Sequence, residues 1–189
     1  MSPVGVAASP RELIRPGLPG WRMAGRGGFR PVNGQAIESF GGPGLLWHAE
    51  PVPEDFELEV EWRTTGPEDN SGIILRAPSL DGGIEPALEQ GYEVQIDDRG
   101  IDPETGRAGS PMHLTGAIYK WAPAAELLSR PTGAWNYFRI SVRGVAIAVE
   151  LNGAPVTRFA GAARRAGHLA LQCHHDGSAV QFRSLILRA

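Results

Sequence analysis

Hydrophobic and polar residues alternate along much of this chain, which is the pattern of β-strands that bury one face and expose the other. The segment 56–63 shows it most clearly: its apolar residues are Phe56, Leu58, Val60 and Trp62, and its polar residues are Glu57, Glu59, Glu61 and Arg63. Similar runs predict strands at 35–40, 44–49, 71–77, 91–97, 168–174 and 179–188. Between 136 and 159, alternation interrupted at Arg143-Gly144 and Asn152-Gly153 predicts three strands joined by two hairpin turns. In total the pattern predicts about nine to eleven short strands.

Segments without this alternation are rich in glycine and proline, of which the chain contains 25 and 16. They predict long loops at 78–90 and 98–112, and loops of that length in a compact domain are usually functional. Only 122–129 is predicted to be helical. These elements predict one domain over residues 1–189, an all-β, jelly-roll sandwich of two antiparallel sheets. Residues 1–12 are expected to be a flexible N-terminal segment.

Charge and composition exclude several classes of partner. The 18 Lys and Arg residues are outnumbered by 21 Asp and Glu residues, and the net charge of −3 gives no electrostatic basis for binding nucleic acid or a membrane. No signal peptide is visible, so we expect a cytoplasmic protein, although a chain that starts after a removed signal would look the same. The single cysteine, Cys173, excludes an internal disulfide and lies on the apolar side of its predicted strand. None of these features determines the oligomeric state.

The polar faces of the predicted strands suggest a different kind of partner. Three strands present carboxylates, amides and an imidazole opposite their apolar faces, and a fourth presents the small residues Ala146 and Ala148. The polar residues are Glu57, Glu59, Glu61, Glu93, Gln95, Asp97, Gln172 and His174. Such a set suits a concave site for a polyhydroxyl ligand, because carboxylates and amides bind sugar hydroxyls through paired hydrogen bonds. The alternative interpretation is an ordinary solvated sheet face.

Several further residues have both a functional and a structural interpretation. Arg76 ends an apolar strand, where its planar guanidinium suits an oxyanion or simply pairs with a carboxylate. Glu61 is the best candidate of the three adjacent glutamates, because it lies nearest the loop that carries Asn70. Tyr119 and Trp121 are either cover for the core or a platform on which a sugar ring stacks. The sequence contains no G-x-S-x-G, no H-E-x-x-H and no phosphate- or dinucleotide-binding glycine loop.

Several of these segments resemble the 3-keto-disaccharide hydrolase domain family. The most specific are Asn70-Ser71-Gly72 with Arg76, the run GYEVQID at 91–97, and Gly167-His168 followed by Gln172 and His174. The resemblance extends from about Leu13 to Leu187, nearly the whole chain. It implies a concanavalin A-like jelly roll that cleaves the glycosidic bond of a sugar already oxidised to a ketone at carbon 3. The loop between Asp97 and Thr115 has no pattern that aligns with the family, which leaves the identity of the sugar and of the leaving group open.

The resemblance also implies roles for the candidate residues. A ketone at carbon 3 acidifies the hydrogen on carbon 2, so that a base removes it and the enolate expels the group on carbon 1. Glu93 or His174 is the candidate base. The enolate stabiliser is either Arg76 or a divalent metal ion held by Glu93, Asp97 and His174, and apart from such a metal no cofactor is expected. The residues expected to contact the sugar are Asn70, Gln95, Asp97, Tyr119, Trp121 and Gln172.

Two other functions fit the same residues. A direct two-carboxylate glycosidase needs carboxyl groups ~5–5.5 Å or ~6.5–9.5 Å apart, a spacing available to Glu59 and Glu61 as residues i and i+2 of a strand. The E-x-D-x-x-E strand of laminarinase-type glycosidases is absent from the sequence, which weakens this hypothesis. A non-catalytic, lectin-like carbohydrate-binding module would use the same concave sheet, with Trp121 and Tyr119 as stacking platforms. In each case the partner is a small-molecule sugar or glycoside, and the clustered carboxylates favour an enzyme.

Overall fold

Thirteen strands and one helix form in residues 9–189, the part of the chain that the computed structural model describes. The strands are β1 (Arg11–Glu12), β2 (Trp21–Gly25), β3 (Gly28–Pro31), β4 (Ile37–Phe40), β5 (Gly44–His48), β6 (Phe56–Thr64), β7 (Ser71–Ala77), β8 (Tyr92–Ile96), β9 (Asn136–Arg143), β10 (Ala146–Leu151), β11 (Ala154–Ala160), β12 (His168–Cys173) and β13 (Val180–Arg188). The helix α1 is Glu85–Gln90. The larger antiparallel sheet has the order β11-β10-β9-β6-β13-β4-β3, with β1 paired to β13, and the smaller has the order β2-β5-β12-β7-β8. The predicted sandwich of two antiparallel sheets is confirmed.

Alternating side chains of the two sheets build the core between them. On β6 the apolar residues Phe56, Leu58, Val60 and Trp62 are fully buried, whereas the polar residues between them lie on the opposite face and are half-buried. The apolar side chains pack against inward-facing residues of the smaller sheet, among them Leu75 on β7. Removing this apolar surface from water is the main favourable contribution to the stability of the fold.

The smaller sheet is also covered on part of its outer face. Leu45 and Ile74 point outward there and form a second apolar cluster with Leu80, Ile84 and Ala87, which belong to helix α1 and the loop before it. The helix therefore closes one part of this face. The remaining part, over β7, β8 and β12, is open to solvent and forms a cleft.

The prediction of a helix at 122–129 is wrong. Backbone amides in this segment bond to distant carbonyls: Ala124 N donates to Pro111 O at 2.8 Å, and Ala125 N donates to Val156 O at 2.8 Å. These tertiary hydrogen bonds replace the i to i−4 bonds of a helix, although the residue types favour a helix.

The helix of the structure, Glu85–Gln90, lies within the predicted loop at 78–90. Its sequence has Pro86 in the first turn, where the missing N–H is harmless, and buries Ala87 against the sheet. This contact with the apolar outer face stabilises a helix too short to be stable alone. The predicted loop at 98–112 contains only turns and irregular structure, as expected.

The predicted flexible segment 1–12 is wrong at its C-terminal end, and residues 1–8 lie outside the described part of the chain. Strand β1 pairs with β13, and the carboxylate of Glu12 accepts hydrogen bonds from the amides of Ile14 and Leu185 at 2.9 and 2.8 Å. In residues 9–189, no helix is long and apolar enough to cross a membrane.

Candidate active site

The cleft on the outer face of the smaller sheet has a volume of about 500 Å³ and a polar floor. Its polar lining residues are Asn70, Glu93, Gln95, Asp97, Arg99, Tyr119, Lys120, Gln172, His174 and His175. Its apolar lining residues are Leu88, Ile101 and Pro103. Seven of the ten predicted catalytic and sugar-contacting residues therefore line this cleft. The other three, Glu61, Arg76 and Trp121, do not.

The period of two along β8 and β12 brings the predicted residues to one face. Glu93 and Gln95 alternate on β8 with buried Val94, and on β12 Gln172 alternates with buried Leu171. Between these strands lies β7, which separates the two polar rows by one strand width. The polar rows of β8 and β12 therefore face the same cleft.

Gly72 on β7 makes the space that the Glu93 side chain occupies. A Cβ atom added at Gly72 would lie 2.7 Å from Cγ and 2.8 Å from Cδ of Glu93, closer than nonbonded carbon atoms approach. In the pairing of β7 with β8, Gly72 lies opposite Gln95 and Ile74 lies opposite Glu93. The Glu93 carboxyl group therefore lies across the central strand toward Gln172.

Burial raises the pKa of Glu93 from 4.5 to about 7, because desolvation disfavours the charged carboxylate. The positive charge of Lys120 and the neighbouring amide of Gln172 act in the opposite direction, with smaller effect. The Glu93 charge in turn contributes to a raised pKa of Tyr119, after desolvation of the phenol. At neutral pH Glu93 is therefore present in both protonation states, which is the condition for a group that accepts and releases a proton during one reaction cycle.

Gln172 presents an unsatisfied polar atom beside this carboxyl group. The residue is 8 % exposed, and its Oε1 has no hydrogen-bond partner among the described residues. A buried carbonyl oxygen without a donor is costly to the fold. Gln172 lines the cleft, so its amide lies beside the space that a ligand would occupy.

Asp97 organises the loop that follows β8, and its carboxylate is already occupied. Its oxygens accept hydrogen bonds from Asn70 Nδ2 at 3.3 Å, Arg99 N at 3.0 Å and Ile101 N at 3.3 Å, and the residue is 1 % exposed. Gln95 Nε2 donates to Asn70 Oδ1 at 3.5 Å, which extends the network along the floor. The structure therefore assigns Asp97 a positioning role in the wall of the cleft.

His174 and His175 form a pair at the rim. Their Nδ1 atoms lie 2.8 Å apart, so one of them donates to the other and the pair carries at most one positive charge while this hydrogen bond lasts. The pKa of His174 is lowered, first by desolvation of its ring against the cleft wall and then by the charges of His175 and Arg99, while Asp97 acts in the opposite direction. The pair is therefore a candidate proton donor or acceptor at the rim of the cleft.

The three predicted metal ligands do not fit a metal ion. No group of three or more His, Cys, Asp or Glu side chains within residues 9–189 is arranged to hold one. Glu93 lies over Gly72 toward the amide of Gln172, the Asp97 carboxylate is bonded to its own loop, and His174 is bonded to His175. The donors of Glu93, Asp97 and His174 are thus directed to different partners.

Glu61 lies on the other sheet, and its predicted catalytic role is not supported by this position. It belongs to β6, where its carboxylate accepts two hydrogen bonds from Arg183, at 2.9 and 2.6 Å, on the outer face of the larger sheet. Glu57 and Glu59 pair in the same way with Arg139 and Arg188, at 2.9 Å each. The three glutamates therefore neutralise a row of arginines on a solvated sheet face.

Ala146 and Ala148 also lie on the larger sheet, since both belong to β10. Their small side chains therefore do not border the polar rows of β8 and β12. The prediction that this fourth strand lines the site is thus wrong.

Arg76 is fully buried outside the cleft, so its predicted role on the reacting sugar is not supported by its position. Its guanidinium donates to the carbonyl oxygens of Gly144 and Arg164 at 2.9 Å each, and to that of Glu54. The residue has a φ of +52° at a bulge, where β7 has one residue more than β12 between two paired positions. This conformation turns the side chain away from the cleft and toward the loops that it joins.

Trp121 lies beside the cleft, and does not line it. Half of its surface is exposed, and its ring packs on Tyr92 and Phe159 with centroid distances of 6.0 and 5.7 Å. Tyr119, two residues earlier, does line the cleft and contacts His113 edge to face at 5.3 Å. Of the two predicted aromatic platforms, only Tyr119 faces the polar floor.

Three charged or titratable lining residues were not predicted from the sequence: Arg99, Lys120 and His175. His175 follows a predicted residue directly, and this adjacency is the signal that would have found it. Lys120 is the only lysine in a chain with 17 arginines and lies between the two predicted aromatic residues. Arg99 lies in the loop 98–112, which carries no periodic pattern, so only the folded structure brings it to the site.

Comparison with known protein families gives one match that covers most of the chain. The profile of the 3-keto-alpha-glucoside-1,2-lyase-like domain matches residues 16–188. The chain matches no curated protein.

Solved structures of related shape include proteins named as glycosyl hydrolases and one named as a carbohydrate-binding module. A protein from Parabacteroides distasonis ATCC 8503, provisionally named a glycosyl hydrolase, has a TM-score of 0.78 at 22% identity, covering 96% of this chain and 100% of that chain. Carbohydrate-binding module CBM66 from Bacillus subtilis has a TM-score of 0.64 at 13% identity, covering 90% and 96%. The VIP36 exoplasmic/lumenal domain, in its Ca²⁺/Man₃GlcNAc-bound form, has a TM-score of 0.64 at 16% identity, covering 94% and 87%. At these identities the similarity establishes the fold, and the predicted jelly roll is confirmed.

Proposed function

This chain belongs to the 3-keto-alpha-glucoside-1,2-lyase-like domain family, and we propose that it cleaves the glycosidic bond of a 3-keto-glycoside in the cleft of the smaller sheet. The family supports a hydrolase or lyase activity on glycosides. The observation that carries the proposal is Glu93, a carboxyl group with a pKa of about 7 on the floor of a polar cleft that suits a sugar ring. Such a group is poised to remove a proton near neutral pH.

In the proposed reaction Glu93 removes the proton from carbon 2 of the sugar. The electron pair of the broken C–H bond moves into the ketone, which gives an enolate with its charge on the oxygen at carbon 3. When the enolate collapses, the bond from carbon 1 to the leaving oxygen breaks. The products are an unsaturated 3-keto sugar and an alcohol, and addition of water to the double bond gives net hydrolysis.

The leaving oxygen needs a proton, and the His174–His175 pair is the proposed source. The two Nδ1 atoms lie 2.8 Å apart at the rim of the cleft and are joined by one N–H···N hydrogen bond. In its singly protonated, cationic form the pair donates an imidazolium N–H proton to the departing oxygen, which leaves as the alcohol while the pair becomes neutral. The proton taken by Glu93 then returns to the pair through solvent, which completes the cycle.

The amides on the floor are the proposed contacts to the sugar hydroxyls. Gln172 Oε1 lacks a donor, and Asn70 and Gln95 are joined by one long hydrogen bond of 3.5 Å that a ligand hydroxyl can replace. Carbohydrate recognition usually combines such amides with an aromatic ring, a role that Tyr119 is positioned to fill. The leaving group would extend toward the apolar lining residues Leu88, Ile101 and Pro103.

The direct test is turnover of 4-nitrophenyl 3-keto-glucoside, in both anomers, followed by release of 4-nitrophenol. We expect release from at least one 3-keto anomer and none from the matching unoxidised glucosides, since only a ketone at carbon 3 acidifies carbon 2. Deuterium at carbon 2 should slow the reaction, because the C–H bond breaks in the proposed step. Equal rates on oxidised and unoxidised glucosides would contradict the proposal and favour a direct glycosidase.

A carbohydrate-binding module is the second candidate, because CBM66 shares the fold and carries binding in its name. It would use the same amides without Glu93 acting as a base. Calorimetric titration with unoxidised oligosaccharides distinguishes the two functions. Binding of such glycans together with no turnover of any 3-keto-glycoside would favour the module.

Substitution of Gly72 by alanine is expected to lower kcat by about 10²-fold, the usual consequence of moving a reacting group by about 1 Å. The added Cβ would overlap Cγ and Cδ of Glu93, and that side chain must move because the strand backbone cannot. The melting temperature should change little, since the displaced atoms belong to a flexible side chain. Gly82→Ala is the matched control, because a Cβ there meets nothing within 4 Å. A G72A enzyme as active as G82A would show that the position of Glu93 is unimportant.

A further inference from the structure

We propose that Lys120 is a catalytic residue, whose ammonium group stabilises the enolate oxygen at carbon 3 of the sugar. This inference rests on the proposed function, since it assigns the one group that the reaction needs and that Arg76 cannot supply. The two Nη atoms of Arg76 donate hydrogen bonds to three backbone carbonyl oxygens outside the cleft. A positive charge for the enolate must therefore come from a residue that lines the cleft.

Lys120 lies at the tip of a tight turn held against Glu93. The turn is closed by hydrogen bonds from Ile118 N to Ala122 O at 3.0 Å and from Ala122 N to Ile118 O at 2.9 Å. Tyr119 N donates to the carbonyl oxygen of Glu93 at 2.9 Å, which fixes the turn to β8 at the position of the proposed base. The lysine and the carboxyl group therefore line the same cleft from adjacent backbone segments.

The backbone of Lys120 is held in an unfavourable conformation. Its φ is +69°, in the left-handed region where residues with a side chain are uncommon and glycine is favoured. Packing of Trp121 on Tyr92 and Phe159 maintains the turn on the side away from the cleft. Strained backbone at a residue that lines a cleft is typical of functional positions, where the surrounding structure holds a side chain in place.

The charge of Lys120 is available to a ligand. In residues 9–189 no carboxylate oxygen lies within 4.0 Å of its Nζ. The Nζ atom lies over the Tyr119 ring, 5.4 Å from the ring centroid. Arg99, the other permanent cation of the cleft, is instead paired with Asp97 and Glu68, both at 3.6 Å. The positive charge of Lys120 also favours the ionised form of Glu93, against the larger effect of desolvation.

The chemistry of the step suits an ammonium group in this position. Removal of the carbon 2 proton places negative charge on the oxygen at carbon 3. The base must therefore reach carbon 2 while the oxyanion stabiliser reaches the oxygen on the adjacent carbon 3. A cation beside a developing oxyanion contributes more to the transition state than to the ground state. Lys120 would act without a covalent bond, and its proton stays on nitrogen.

The test measures kcat and KM of K120M, K120R and K120G on the 3-keto-glycoside that the wild type cleaves. R158M is the control, because it removes an exposed cation on β11 that lies outside the cleft lining. We expect K120M and K120G to lose about 10²–10³-fold in kcat with KM changed little, the pattern of an interaction made in the transition state. K120R should keep more activity than K120M, and R158M should match wild type. K120G should melt at or above the temperature of wild type, because glycine relieves the positive φ.

Two further measurements separate a catalytic from a structural role. In K120M the acidic limb of the kcat/KM profile should move to higher pH, because Glu93 loses a neighbouring positive charge. Borohydride reduction during turnover should leave Lys120 unmodified, and a covalent adduct would overturn the noncovalent role. An active wild type with K120M as fast as R158M would overturn this inference alone, whereas an inactive wild type would overturn the proposed function as well.

Discussion

Replacing Glu93 with glutamine is expected to lower kcat on a 3-keto-glycoside by about 10²–10⁴-fold, the usual contribution of a general base. Glutamine has nearly the same shape as glutamate, so it still fits over Gly72, but its amide cannot accept the proton from carbon 2. Leaving-group release at saturating substrate measures the loss. An E93Q enzyme with wild-type kcat would remove Glu93 from the mechanism and leave the His174–His175 pair as the candidate base.

The same variant tests the environment of Glu93 through stability. The folded-state pKa of about 7 lies above the ordinary value of 4.5, so the folded protein binds this proton more tightly than the unfolded chain does. Glu93 therefore lowers wild-type stability as pH rises from about 4.5 to about 7. E93Q lacks this penalty, and its melting temperature relative to wild type should increase between pH 5 and pH 8.

Glu61→Gln is the matched control for that experiment. Its carboxylate is paired with Arg183 on the outer face of the larger sheet, and surface ion pairs contribute little to stability. E61Q should therefore keep full kcat, and its difference in melting temperature from wild type should stay constant between pH 5 and pH 8. A pH-independent difference for E93Q would contradict the burial of Glu93.

The part of the site that could be predicted is the part that local periodicity determines. Side chains of a strand alternate between two faces, so the apolar residues Val94 and Leu171 predict that Glu93, Gln95 and Gln172 point the other way. The strands themselves were predictable for the same reason. Strand β2 and strand β3 were missed because their sequences, WRMAG and GFRP, are too short to show a sustained alternation.

The part that could not be predicted depends on which strands become neighbours. Glu61 has the same alternation as Glu93, yet β6 joins the larger sheet and β8 joins the smaller one. Strand pairing is a long-range property, set by the whole topology rather than by the five or nine residues of a strand. Lys120 was missed for a related reason, because it reaches the cleft through a turn whose backbone bonds to β8.

Replacing Arg76 with methionine is expected to destabilise the fold by about 3–5 kcal/mol, because three backbone carbonyl oxygens lose their donor at about 1–3 kcal/mol each. These oxygens belong to Gly144, Arg164 and Glu54, and their hydrogen bonds to Arg76 are part-buried. For a chain of this size the melting temperature should fall by roughly 6–20 °C. Thermal unfolding followed by circular dichroism measures this loss.

The activity of the Arg76 variants decides between the structural role and the catalytic role predicted from the sequence. Arg76→Lys keeps a positive charge but offers a single donor group in place of a planar fork, so it should remain folded at low temperature with an intermediate loss of stability. Its kcat per folded molecule, measured well below the melting temperature, should match wild type, because Arg76 lies outside the cleft. Arg139→Met, which removes an exposed arginine paired with Glu57, should change neither property appreciably. A stable R76K protein without activity would instead mean that the guanidinium acts on the reaction through the loops that it joins.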